Sequence, residues 1–142
     1  MRGANAPRCS IDVWSIYLSL TNAFNVPESF HVEFPVSVET VLVSGALSVT
    51  VPVGGDMTLT LREEYGYDRQ RLTVSRYSYN VIDATGTNLL RADNLTFHRT
   101  DYRRRLLTHP PHHTHDQRGR VYSFTRDVHH FIAHTKTLLS SR

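Results

Sequence analysis

A chain of 142 residues makes one domain, long enough to bury a core without covalent staples. Its 39% hydrophobic and 20% charged residues exclude wholesale disorder, and a single cysteine, Cys9, excludes an internal disulfide framework and a multi-thiolate zinc site. The formal charge of +3 is mild, but the positive charge is almost all arginine, Lys136 being the only lysine.

Residues 1–10 carry arginines with no apolar run in the place a signal peptide needs one. The most apolar stretch, 36–53, is interrupted by Ser, Thr, Glu and Gly, so no membrane span is expected. With one thiol, this reads as a reducing, cytoplasmic setting. Residues 11–24 mix their apolar positions and fit either a helix capped by Ser10 or Asp12 or an apolar strand. Residues 31–36 alternate and then meet Pro35, as a short edge strand or a turn does. Residues 38–53 are rich in β-branched side chains and are expected to form one or two strands bent at Gly45.

The plainest architecture follows. Gly54-Gly55-Asp56 is turn chemistry, and 57–67 alternates Met57, Leu59 and Leu61 against Thr58, Thr60 and Arg62, a half-buried strand. After a turn at 68–70, strict alternation over 71–83 sets Leu72, Val74 and Arg76 against Thr73, Ser75, Tyr77 and Tyr79. Residues 84–87 form a hairpin loop with Gly86 where a positive φ is needed, and 88–93 start the return strand. Residues 123–139 space Phe124, Val128, Phe131, Ile132, Thr135, Leu138 and Leu139 as one helical face, with Thr125 as N-cap and Asp127 in the first turn. The expected fold is therefore α+β: an antiparallel meander of about four to five strands covered by a C-terminal helix, with an N-terminal helix open.

Chemistry concentrates in His109-Pro110-Pro111-His112-His113-Thr114-His115. The prolines stiffen the approach to a loop, and extended backbone puts His113 and His115 on one face. Two imidazoles together can hold a metal, or serve as general acid and general base on a phosphodiester, because imidazole titrates at about 6.5. The plain alternative is a surface segment without function. Arg99, Arg103, Arg104, Arg105, Arg118, Arg120 and Arg126 bracket the run, and arginine's planar fork suits phosphate oxygens. His130 and His134, one helical turn apart, could chelate or could lie on a solvated face together with His129, while His31 reads as ordinary.

A second constellation is Arg76-Tyr77-Ser78-Tyr79, followed by Arg91-Ala92-Asp93-Asn94 and His98. Were Tyr77, Tyr79 and Arg91 to share the sheet's polar face, arginine on phosphates and aromatics on bases would grip single-stranded RNA. The alternative leaves the tyrosines as half-buried sheet residues. These residues, in order with Asp83, Gly86 and the segment Pro111-His112-His113-Thr114-His115, resemble the TumE family of toxin–antitoxin toxins across residues 57–116. The resemblance implies a small growth-inhibiting toxin, encoded beside a DNA-binding antitoxin that neutralises it by contact. Thr114 stands where the family carries a lysine, the run Arg103-Arg104-Arg105 is unusual, and residues 1–53 carry no matching motif.

The leading expectation is a metal-free ribonuclease toxin without cofactor. Its catalytic set is His113, His115, Arg91, His98 and His112, and its RNA-binding set is Arg76, Tyr77, Tyr79, Asp93, Asn94, Arg103, Arg104 and Arg105. A metal-dependent nucleic-acid or nucleotide enzyme using His112, His113, His115 and Asp93 is the alternative, and a non-catalytic module binding nucleic acid or protein is the third reading. The partners expected are the antitoxin and RNA and no membrane, with a homo- or hetero-oligomer left open.

Overall fold

The computed structural model describes residues 10–33, 45–68, 71–94, 113–116, 120–123 and 127–141. Helix α1 (Ser10–Ala23) leads into strand β1 (Ser29–Glu33), followed by β2 (Gly45–Gly54), β3 (Met57–Asp68), β4 (Arg71–Ile82), β5 (Asn88–Asp93), β6 (His113–Asp116) and β7 (Val121–Ser123). Helix α2 (Val128–Ser140) closes the chain. The class is α+β, as the patterning implies. The meander is longer than expected, with seven antiparallel strands among the described residues, ordered in space as in sequence.

Period-two alternation builds the core. Leu47, Val49, Val51 and Val53 of β2 point the same way as Leu59 and Leu61 of β3 and Val81 of β4, and all are buried. The β2–β3 hairpin closes through Gly54 and Gly55, at φ of 117° and 57°, which side-chain-bearing residues rarely adopt. Gly86, at φ 85°, does the same between β4 and β5, where Asp83 Oδ1 accepts from the backbone N–H groups of Thr85 and Thr87 at 2.9 and 3.0 Å.

Both helices cover the apolar face. Helix α1 buries Val13, Ile16 and Leu20, and α2 buries Val128, Phe131, Ile132 and Thr135. The Phe131 ring lies 5.5 Å from that of Tyr79. The helices meet through His129 of α2, whose ring nitrogens lie 3.3 Å from the Ser15 hydroxyl and 2.9 Å from that of Ser19 on α1. His129 therefore belongs to the helix–helix contact and not to a solvated face. Helix α2 starts later than its apolar spacing suggests: Ser123 ends β7, Asp127 is the N-cap, and Phe124 and Thr125 lie outside the described residues. No helix among the described residues is long and apolar enough to cross a membrane.

Strand β4 departs from strict alternation. Glu64 pairs with Arg76 but Tyr65 pairs with Val74, so Ser75 is an extra residue on β4, and its hydroxyl donates to the Glu64 carbonyl at 3.1 Å. One inserted residue inverts every later side chain. Val74 before the bulge and Tyr77 and Tyr79 after it therefore all face the core.

Candidate functional site

The bulge decides which residues can share a site. Tyr77 and Tyr79 are 1% and 0% exposed, stacked on each other at 4.9 Å beneath α2. Arg76 and Arg91 belong to the opposite face. Tyr77 and Tyr79 are thus core residues and not base-stacking platforms beside Arg91, which corrects the expectation drawn from unbroken alternation.

The face opposite helices α1 and α2 carries two polar rows that run across the strands. In one row Thr60 pairs with Asn80, Asn80 with Arg91 and Arg91 with His115. In the next, Arg62 pairs with Ser78, Ser78 with Asp93 and Asp93 with His113. Between the two histidines, Thr114 is 2% exposed on the core side, so period two assigns both histidine positions to the polar rows. Of the segment taken from sequence as a loop, the described residues from His113 onward form strand β6, their backbone held by β5 and β7. Extended strand backbone still sets His113 and His115 on one face.

Arg91 and Asp93 form the fixed centre of these rows. The Arg91 Nε–H donates to Asp93 Oδ2 at 2.8 Å, with the carboxylate fully buried and the guanidinium side chain one-third exposed at 33%. A buried carboxylate beside a partly open guanidinium is a charge-assisted pair that holds the cation in place while leaving it reachable. Arg76 lies one step further along β4, with Nη1 3.9 Å from Glu64 Oε2. Arg62, Glu64, Arg76, Tyr77 and Ser78 line a shallow hollow of about 180 Å³ on this face. That is smaller than the roughly 300–1,000 Å³ of small-molecule pockets.

Asn94 has a structural task. Its Oδ1 accepts from the Tyr77 N–H at 2.9 Å and its Nδ2 donates to the Ser75 carbonyl at 3.0 Å. The side chain thus continues the β4–β5 ladder past Asp93 and clamps the bulge. His98, His109, His112, Arg103, Arg104 and Arg105 lie outside the described residues. Among the described residues no three His, Cys, Asp or Glu side chains converge as a metal-binding group.

One residue escaped the sequence reading. Glu63 follows Met57, Leu59 and Leu61 in the inward period, and it is 1% exposed inside the core. The Tyr65 hydroxyl donates to its Oε1 at 2.9 Å and the Tyr79 hydroxyl to its Oε2 at 2.6 Å. Its inward parity was the available signal, since an acid in an apolar register must find donors. No protein-family model, curated protein or solved structure matches this chain.

Proposed function

We propose that the chain is a small cytoplasmic toxin that cleaves RNA by metal-free acid–base chemistry on the polar face of its sheet. The observation that supports this reading is the strand register, which aligns His115 with Arg91 and His113 with the buried Asp93. One imidazole takes the proton of the ribose 2′-hydroxyl, the freed oxygen attacks the adjacent phosphorus, and the other imidazole protonates the departing 5′-oxygen. The products are a 2′,3′-cyclic phosphate and a free 5′-hydroxyl. The neighbours suggest the division of labour. We assign the base to His115 and the acid to His113, the position in register with Asp93. Arg91, held by Asp93, stabilises charge on the pentavalent phosphorane, with Arg76 further along the same face. The resemblance to the TumE toxins adds a DNA-binding antitoxin as the partner that neutralises the chain by contact.

The test is growth arrest on induction, paired with cleavage of labelled single-stranded RNA in chelator. His113→Ala and His115→Ala should each abolish both while leaving the melting curve in place. Full toxicity in a stably folded His113→Ala/His115→Ala double variant would falsify the reading.

A further inference from the structure

Helix α2 carries three histidines, and the helical period divides them. His129 turns to α1, where its ring nitrogens meet the hydroxyls of Ser15 and Ser19. His130 and His134 stand one turn apart on another flank, away from the buried Val128, Phe131, Ile132 and Thr135. His130 is exposed and His134 half-buried, so both rings can be reached from solvent.

The ring centroids of this pair are 6.4 Å apart, with the planes inclined at 60°. That separation is close to what a shared ion demands. Zinc holds an imidazole nitrogen at about 2.0–2.1 Å, which at a tetrahedral angle sets two ligand centroids roughly 5 Å apart. Rotation of the exposed His130 side chain closes the remainder. The backbone between the two ligands is a regular helical turn, seated on the sheet by Phe131 and Ile132, so their spacing is set before an ion arrives.

Neutral imidazole is the commonest protein ligand for metal ions, and it suits zinc, copper and nickel where magnesium and calcium take oxygen. Two protein ligands leave the other coordination positions to water. The arrangement therefore fits an exchangeable ion and not the closed four-ligand site of a structural zinc.

We propose that His130 and His134 together bind one late first-row divalent cation of the zinc class on the outer side of α2. The site is separate from the polar rows, because α2 packs on the opposite face of the sheet, against Tyr79. It is independent of the RNA-cleaving reading, whose chemistry runs in chelator.

His109, His112, His113 and His115 also offer imidazoles, so the test must resolve individual rings. The full chain, purified without a histidine tag, is titrated with Zn²⁺ at neutral pH while the histidine ring protons are followed by NMR. His130→Gln and His134→Gln assign the two signals. Both rings should shift together with one midpoint below about 300 µM, and EDTA should return them. In His130→Ala, a change at an exposed position, the His134 ring should need at least about tenfold more Zn²⁺ to shift. Rings of His130 or His134 that stay in place up to about 1 mM Zn²⁺ overturn the proposal, as does a His134 midpoint unchanged in His130→Ala. Should that variant fold poorly, the unaltered chain decides, since separate midpoints for the two rings overturn a shared ion equally.

Discussion

Tyr79 donates a 2.6 Å hydrogen bond to Glu63 Oε2 in the middle of the core, where the two residues are 0% and 1% exposed. A carboxylate removed from water is tolerated only through such donors, and hydrogen bonds to charged groups contribute about 1.5–3 kcal/mol. Tyr79→Phe keeps the ring stacked on Tyr77 and removes only the hydroxyl. It should lower unfolding stability by about 1.5–3 kcal/mol in urea titrations, with little change in the denaturant slope. A loss under about 0.5 kcal/mol, the size of an ordinary surface substitution, would show that the carboxylate does not depend on this donor.

The same strand pair shows what was legible in the sequence and what was not. Alternation at Met57, Leu59 and Leu61, turn glycines at 54, 55 and 86, and helical spacing at Val128, Phe131, Ile132 and Thr135 gave the strands, the hairpins and the cover. Each is a local signal, written in consecutive residues. The face borne by Tyr77 and Tyr79 was not legible, because it turns on one extra residue at Ser75, and nothing in Arg-Tyr-Ser-Tyr marks a bulge. The bulge is fixed by partners distant in sequence: the Glu64 carbonyl and the Asn94 amide. The histidine positions fared differently. Extended backbone was enough to put His113 and His115 on one face, but alignment with Arg91 and Asp93 is a property of strand pairing across the segment between β5 and β6.

Arg91 and Asp93 make an asymmetric pair, and their truncations should differ accordingly. Arg91→Ala leaves a fully buried carboxylate without its 2.8 Å guanidinium partner, whereas Asp93→Ala leaves a cation that is one-third exposed and can turn to water. Breaking a buried pair costs several kcal/mol when a buried charge is left behind. Arg91→Ala should therefore cost about 2–3 kcal/mol and Asp93→Ala about 1–2 kcal/mol in chemical denaturation. The reverse order would mean that the guanidinium, and not the carboxylate, depends more on this contact.

Helix α2 leans on one cap. Asp127, at φ −116° and ψ 120°, accepts from the His129 N–H through Oδ1 at 2.9 Å, and the first turn holds no acidic residue to reinforce it. Loss of an N-cap side chain costs about 1 kcal/mol. Asp127→Ala should lower the melting temperature by several degrees, while Asp127→Ser, which restores an acceptor, should recover most of it. Equal losses in the two variants would remove the cap from the account of how α2 is seated over Tyr79.

His134 makes stability depend on pH in a definite direction. Burial, and then the nearby charge of His130 with its ring 6.4 Å away, hold the His134 imidazole below its ordinary value. The unfolded chain therefore binds a proton at this site more readily than the folded one, and protonation favours unfolding. Its contribution is fully present above the unfolded value of about 6.5 and is lost as pH falls from there through the lower folded value. His134→Gln cannot titrate, so its melting temperature should fall less than that of the unaltered chain between about pH 7 and 5. His130→Ala removes the second cause and should move the His134 titration, followed by ring-proton NMR, back towards the ordinary imidazole range. A His134 titration unmoved in His130→Ala, together with an unchanged pH slope in His134→Gln, would place the acid sensitivity of the fold elsewhere.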